Sequence, residues 1–201
     1  MDVSTETTGR LGNMLGTPIV GGTEWFTTTY GPAAAASVVA ELPAVWRSWV
    51  RPNSRALGLL GAKRYPYAFI GALVGTMAKV VRAADPDLFI DHISAAGIDA
   101  AIGTGMRVLL RYGATPASLA TRAQESWDMF HDSGLVRATV TAREYVSETT
   151  AWAAHDPVVC KICLYVRKRI IARAGMRNVV ATRDRCQSWG HDRCVHRIRW
   201  D

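Results

Sequence analysis

The sequence predicts an α+β fold, a helical half followed by a four-stranded antiparallel sheet (strand-strand-helix-strand-strand) packed on the helices. Three observations carry this prediction. Up to Gly134 apolar residues recur at spacings of three and four. Beyond Gly134 the period falls to two, with Ala138, Val140 and Ala142 alternating with Arg137, Thr139, Thr141 and Arg143. A single helical stretch, Val158 to about Ala174, then stands between strand-like segments and closes at Gly175, which suits a left-handed cap.

Residues 1–21 are rich in Gly, Thr and Ser without an apolar period, so they read as a flexible arm before one domain over 22–201, helical over 22–134 and sheet-forming over 135–201. Helical character starts with Trp25, Phe26 and Tyr30 and resumes after Pro32, a residue tolerated at a first helical position. Tyr67 to Arg82 sets Phe69, Ile70, Leu73, Val74 and Met77 on one face, and Asp85 before Pro86 is a natural cap for the next helix. Residues 86–112 fit one bent helix or two abutting ones, interrupted by glycines. The GTGMR stretch at 103–107 lacks the lysine-hydroxyl pair and preceding strand of a phosphate loop. Thr115-Pro116 opens a helix carrying Leu119, Trp127 and Phe130. The strands after it are the alternating run near 137–143, a second run from Glu148 to Ala153, and two more at Asn178 to Arg185 and Arg193 to Trp200, turned at Ser188, Gly190 and Asp192.

A length of 201 residues with 49% hydrophobic and 20% charged residues describes a globular chain, which excludes bulk disorder. The longest apolar run, Tyr65 to Val81, contains Pro66 and Lys79 and is too short to span a bilayer, and the polar start is no secretory signal, so a cytoplasmic protein without a membrane span is expected. The formal charge of +7 is unevenly placed. Residues 1–150 hold 13 Lys/Arg against 13 Asp/Glu, whereas residues 151–201 hold 11 against 4. Such clustering raises nucleic acid as a partner, with Arg167, Lys168, Arg169, Arg173 and Arg177 as its contacts, but no recognised binding module accompanies it.

All four cysteines lie in the same basic quarter, spaced C-x2-C-x22-C-x7-C as Cys160, Cys163, Cys186 and Cys194. In a reducing compartment such residues are thiols or metal ligands rather than disulfides. Cys160 and Cys163 fall in the first turns of the last helix, and a hairpin brings the ends of the seven-residue gap together, so a structural zinc held by four thiolates is geometrically reasonable. His191 and His196 are alternative ligands, and reduced cysteines packed as small hydrophobes are the plain alternative. A redox pair is disfavoured because C-K-I-C does not follow the first strand of a βαβ unit.

From about Val158 to Trp200 the chain resembles the vinyl-4-reductase-type small-molecule-binding domain, on Cys160, Cys186, Cys194 and the intervening Gly190. That superfamily includes zinc-containing sensor domains of aromatic-responsive activators and is similar to vesicle-tethering subunits. From about Gly22 onward the chain is similar to an uncharacterised bacterial family of about this length, on Tyr30-Gly31-Pro32, Leu42-Pro43, Tyr65-Pro66-Tyr67, Trp127 and Arg197-Ile198-Arg199-Trp200. The resemblance implies zinc on the three shared cysteines. In the aromatic sensors the fourth ligand is an acid three residues before the second cysteine; here that position is Arg183, so Cys163 substitutes, Asp184 reaches in, or the metal is lost.

The function expected on these grounds is a non-enzymatic sensory or carrier domain for a small hydrophobic ligand. The alternative is a ligand-free homodimer or partner-protein scaffold, with Trp25, Trp46 and Trp49 as interface anchors. No paired carboxylates or nucleophile with a positioned base point to an enzyme.

Overall fold

The structure is a computed structural model that describes residues 12–102 and 114–201. Its helical half contains α1 (Gly16–Glu41), α2 (Ala44–Arg47), α3 (Tyr67–Val80), α4 (Pro86–Ala101), α5 (Pro116–Thr121) and α6 (Ala123–Asp128). A four-stranded antiparallel sheet follows, with β3 (Leu135–Val140), β4 (Glu144–Thr150), β5 (Val180–Arg185) and β6 (Cys194–Arg199) in the order β3-β4-β6-β5. Between β4 and β5 runs α7 (Pro157–Arg173), which packs on both α4 and the sheet. The α+β architecture is the one the periodicity predicts.

Two features depart from the sequence reading, while the break of α1 at Gly31 and Pro32 follows it. Residues 12–21 of the segment read as an arm carry β1 (Asn13–Leu15) and the first turns of α1. The strand β1 pairs antiparallel with β2 (Arg64–Pro66), Met14 lying opposite Tyr65. The remainder of that segment, and the GTGMR stretch, lie outside the described residues. Within α1 the helical path breaks at Gly31, whose φ of 82° favours a residue without a Cβ, and Pro32 restarts it. The helix expected after Thr115 is divided at Arg122 into α5 and α6.

Helix starts follow local chemistry. The Asp85 carboxylate accepts from the Asp87 and Leu88 N–H groups at 2.9 and 3.0 Å, and Asp156 does the same for Val158 and Val159 at 2.8 and 3.0 Å. Proline occupies the first turn of both helices, where its missing N–H has no partner to lose. The main core gathers Phe26, Tyr67, Phe69, Leu73 and Met77, all fully buried, beneath α1, α3 and α4. Trp46 and Trp49 stack in an aromatic group with Tyr65 and Phe69, and Trp25 packs on Phe89 and Tyr30. The three tryptophans offered as interface anchors are thus half-buried within their own chain.

The basic quarter meets its acids internally. Along α7, Lys161 pairs with Asp87, Lys168 with Asp91 at 2.5 Å, and Arg169 and Arg173 with Asp99 at 3.3 and 2.5 Å, all acids of α4. On the sheet, Arg197 bridges Glu144 and Asp184 at 2.6 Å each. Lys168, Arg169 and Arg173 are therefore paired within the chain rather than forming a free cationic stripe. Among the described residues no helix is long and apolar enough to cross a membrane.

Candidate functional site: a thiol-imidazole cluster beside an apolar cavity

Cys160 lies in the first turn of α7, and Cys186 and Cys194 flank the β5–β6 turn, which is tightened by a 3-10 segment and by Gly190 at φ 83°. All three side chains are fully buried. Their sulfurs meet: Cys186 Sγ is 3.8 Å from Cys160 Sγ and 3.9 Å from Cys194 Sγ. The fourth donor is His155, whose Nε2 lies 3.3 Å from Cys194 Sγ and 3.6 Å from Cys186 Sγ. One ligand atom from each of these four residues lies within 4.8 Å of the others. A tetrahedron with edges near 3.8 Å has its corners about 2.3 Å from its centre, the length of a metal–thiolate bond.

Cys163, expected as a fourth thiolate, is elsewhere. Three residues along a helix turn a side chain by roughly 60°, and on α7 that rotation separates two walls. Cys160 faces the hairpin, whereas Cys163 Sγ lies 3.8 Å from His131 Nε2. Asp184 is held by Arg197 and Thr182 and is not part of the cluster. His191 is exposed in the turn. His196 touches the cluster's edge, with Nε2 3.3 Å from Cys160 Sγ, but its other face is taken by Arg167. The sequence reading missed His155, although it stands directly before the Asp156-Pro157 start of α7 and its orientation is fixed by an edge contact with Trp152 at 4.9 Å. The turn that presents it carries Ala151 and Ala154 at φ 48° and 50°, a left-handed conformation unusual for alanine.

Electrostatics within the cluster are asymmetric. Hydrogen bonding to Cys160, then support from His155 and the Gln187 N–H, lowers the Cys194 thiol to about 4, and the same bond with burial pushes Cys160 up. The two thiols titrate as a coupled pair, with Cys194 the more acidic side. Arg183 adds positive charge, its guanidinium 3.6 Å from Cys186 Sγ.

Behind the cluster lies a cavity of about 200 Å³. Its walls come from β1 (Met14), α4 (Ile98), α5 (Leu119), α6 (Trp127), the sheet (Val136, Tyr145) and α7 (Ile162, Arg167). The few polar groups are tightly specified. His131 stacks on Trp127 with centroids 3.7 Å apart, and its Nδ1 lies 3.0 Å from the Tyr67 hydroxyl. Burial first, and the Arg167 and Arg64 charges second, hold His131 down at about 3, so the ring is neutral, the Tyr67 O–H donates to Nδ1, and Nε2–H faces Cys163. Burial pushes the Cys163 thiol up to about 12 and raises the Tyr67 and Tyr145 phenols, so all three keep their protons.

Cavity and cluster share one connection. The Arg167 guanidinium donates to His196 Nδ1 at 2.7 Å, which leaves the proton of that buried imidazole on Nε2, pointing at Cys160 Sγ. Burial and the same arginine hold His196 well below the usual histidine range.

No model of a known family matches the chain, and a search of curated proteins finds no relative. Solved structures do match. An H-NOX protein from S. oneidensis in the Fe(II)NO ligation state aligns at a TM-score of 0.64 and 11% identity, over 92% of this chain and 99% of that one. A mutant form of T. tengcongensis H-NOX aligns at 0.63 and 10%, over 94% and 98%. An oxygen-binding H-NOX domain related to soluble guanylate cyclases aligns at 0.60 and 9%, over 94% and 95%. At such identities the similarity establishes the fold. It corrects the vinyl-4-reductase assignment, which rested on three cysteines and one glycine, and with it the likeness to an uncharacterised bacterial family related to that domain: 92–94% of the chain aligns with H-NOX domains instead. The expected zinc cofactor, carried by that assignment, is overturned with it, since the cofactor named for similar H-NOX structures is heme.

Proposed function

We propose that the chain is a non-enzymatic sensor or carrier domain that takes a small, largely apolar molecule into the cavity between α4, α6 and α7. The observation that carries this reading is the cavity itself, about 200 Å³ of largely apolar space at the join of the two halves, with a few polar groups held in fixed orientation. The similar structures include an oxygen-binding domain, so the fold is one that admits small molecules.

Heme, the cofactor of similar structures, does not fit the described lining. A heme iron needs an axial donor, and cofactor pockets commonly enclose about 300–1,000 Å³. His131 has both nitrogens engaged and its ring pinned on Trp127. His155 and His196 belong to the thiol cluster, and His92 and His191 are exposed. Cys163 and Tyr145 keep their protons. Toluene is a suitable apolar probe. At ten times its Kd it should stabilise the fold by about 1.4 kcal/mol, raising Tm by about 3–6 °C, and should shift the Trp127 indole N–H resonance. Hemin added in parallel should give no protein-dependent Soret band. Absence of any toluene effect, or a stoichiometric Soret band, would overturn the reading.

The second part of the reading is that His155, Cys160, Cys186 and Cys194 hold one thiophilic transition-metal ion, joining the start of α7 to the β5–β6 hairpin. Its support is the near-tetrahedral spacing of four soft donors. Elemental analysis of the purified chain should find one such ion, absent from Cys186→Ser and retained in Cys163→Ser. Retention in Cys186→Ser, or loss in Cys163→Ser alone, would count against this ligand set.

A further inference from the structure

We infer that the ligand of the cavity is a small amphipathic monocarboxylate whose anionic head is held by Arg167, an inference that rests on the cavity being a ligand site. The starting observation is an unbalanced charge. Lys161, Lys168, Arg169 and Arg173 on the same helix each pair with a carboxylate of α4. Arg167 points the other way, into the cavity wall, and among the described residues no carboxylate pairs with it.

Every group around this guanidinium is neutral. It donates to His196 Nδ1 at 2.7 Å and more weakly to the Cys163 carbonyl at 3.5 Å, it lies 5.4 Å from the centre of the Trp127 ring, and it neighbours the Tyr145 phenol. Arg167 is half-buried, and a partly desolvated cation with no partner of opposite charge favours an incoming anion. Guanidinium carries five N–H donors in a planar fork that matches a carboxylate, so two bonds to neutral acceptors do not exhaust it. The His196 bond and the Trp127 face also restrict its motion, which pre-organises it for an anion.

Cavity size limits the rest of the molecule. A cavity of about 150 Å³ can hold benzene. The present 200 Å³ therefore suits a single ring or short chain bearing a carboxylate, of the size of benzoate or hexanoate. The apolar part would lie against Ile98, Ile162 and Trp127, with the head at Arg167.

The test compares benzoate, its neutral counterpart benzyl alcohol, and toluene on the full chain, read by the Trp127 indole resonance and by Tm. The wild-type chain should bind benzoate at least tenfold more tightly than benzyl alcohol. Arg167→Gln should lose that preference, with benzoate affinity falling at least tenfold more than toluene affinity does. Arg167→Lys, which keeps charge without the fork, should weaken benzoate severalfold and leave toluene alone, and it serves where the glutamine variant does not fold. Toluene binding with no preference for benzoate overturns the inference and leaves the cavity reading intact. Failure of all three probes overturns both.

Discussion

Gly97→Val should destabilise the fold by about 3 kcal/mol or more in denaturant titration, whereas Gly75→Ala should leave it unchanged or stabilise it by up to about 1 kcal/mol. The contrast comes from what each missing Cβ would meet. At Gly97 on α4 a Cβ would stand 2.6 Å from the Pro18 carbonyl oxygen and 3.3 Å from the Pro18 carbonyl carbon of α1. These are backbone atoms, which no rotamer change can move aside. Gly21 and Gly22 of α1 face Gly97 and Ile93 of α4, so the two helices meet along glycine-lined backbone. Relief requires the helices to separate, which opens the core around Phe26 and Phe89. The helix-propensity gain of replacing glycine, below about 1 kcal/mol, works against this cost and does not offset it. Gly75 is exposed on α3 with nothing within 4 Å of its notional Cβ, so only the propensity gain remains. Gly97→Ala should give a smaller loss and weaken toluene binding, because Ile98 and Ile102 line the cavity immediately after it. Equal stability of Gly97→Val and wild type would mean that α1 and α4 do not approach as described.

Local features of the chain are legible in its sequence, and long-range ones are not. The change of period at Gly134, the Asp85 and Asp156 caps and the Gly190 turn are local signals, and the structure follows them. The β1–β2 ribbon left no such signal, since strands of three residues paired across some fifty positions show no alternation to detect. Cysteine spacing marked Cys160, Cys186 and Cys194 as neighbours, because helix start and hairpin ends are local geometries. It could not separate Cys163 from His155, which depends on the direction of α7 relative to the hairpin. The internal partners of the basic quarter were hidden for a related reason. Asp87, Asp91 and Asp99 recur at multiples of four, one ridge of α4, and that ridge meets the cations of α7. Their absence opposite Arg167 is visible only once both helices are placed, and so is the cavity.

Lowering the pH from 7.5 to 4.5 should cost the fold roughly 3 kcal/mol through His131 alone, read as the pH dependence of unfolding free energy. In the unfolded chain this imidazole takes up its proton near the usual 6.5, whereas in the fold burial holds it at about 3. Between those values the unfolded state binds a proton that the native state refuses, so stability falls as pH falls, by about 1.4 kcal/mol per pH unit once well below 6.5. The geometry explains the refusal: the Nδ1 lone pair accepts the Tyr67 hydroxyl, the ring lies flat on Trp127, and the Arg167 charge is close. His196, buried and also held low, acts in the same direction. The informative comparison is therefore a difference in slope. His131→Phe retains a flat ring against Trp127 but leaves the Tyr67 hydroxyl without its acceptor, so its stability at pH 7.5 should be lower by about 1–3 kcal/mol. Its pH dependence between 6 and 5 should nevertheless be shallower than wild type by close to one proton. An unchanged slope would mean that His131 protonates as readily in the fold as outside it. A shallower slope ties acid sensitivity to the ligand site, because protonating His131 removes the Nδ1 lone pair that accepts the Tyr67 hydroxyl and sets a second positive charge beside Arg167 in the cavity wall. Ligand affinity should then weaken in acid before the whole fold is lost, as the local opening of that wall requires less than global unfolding.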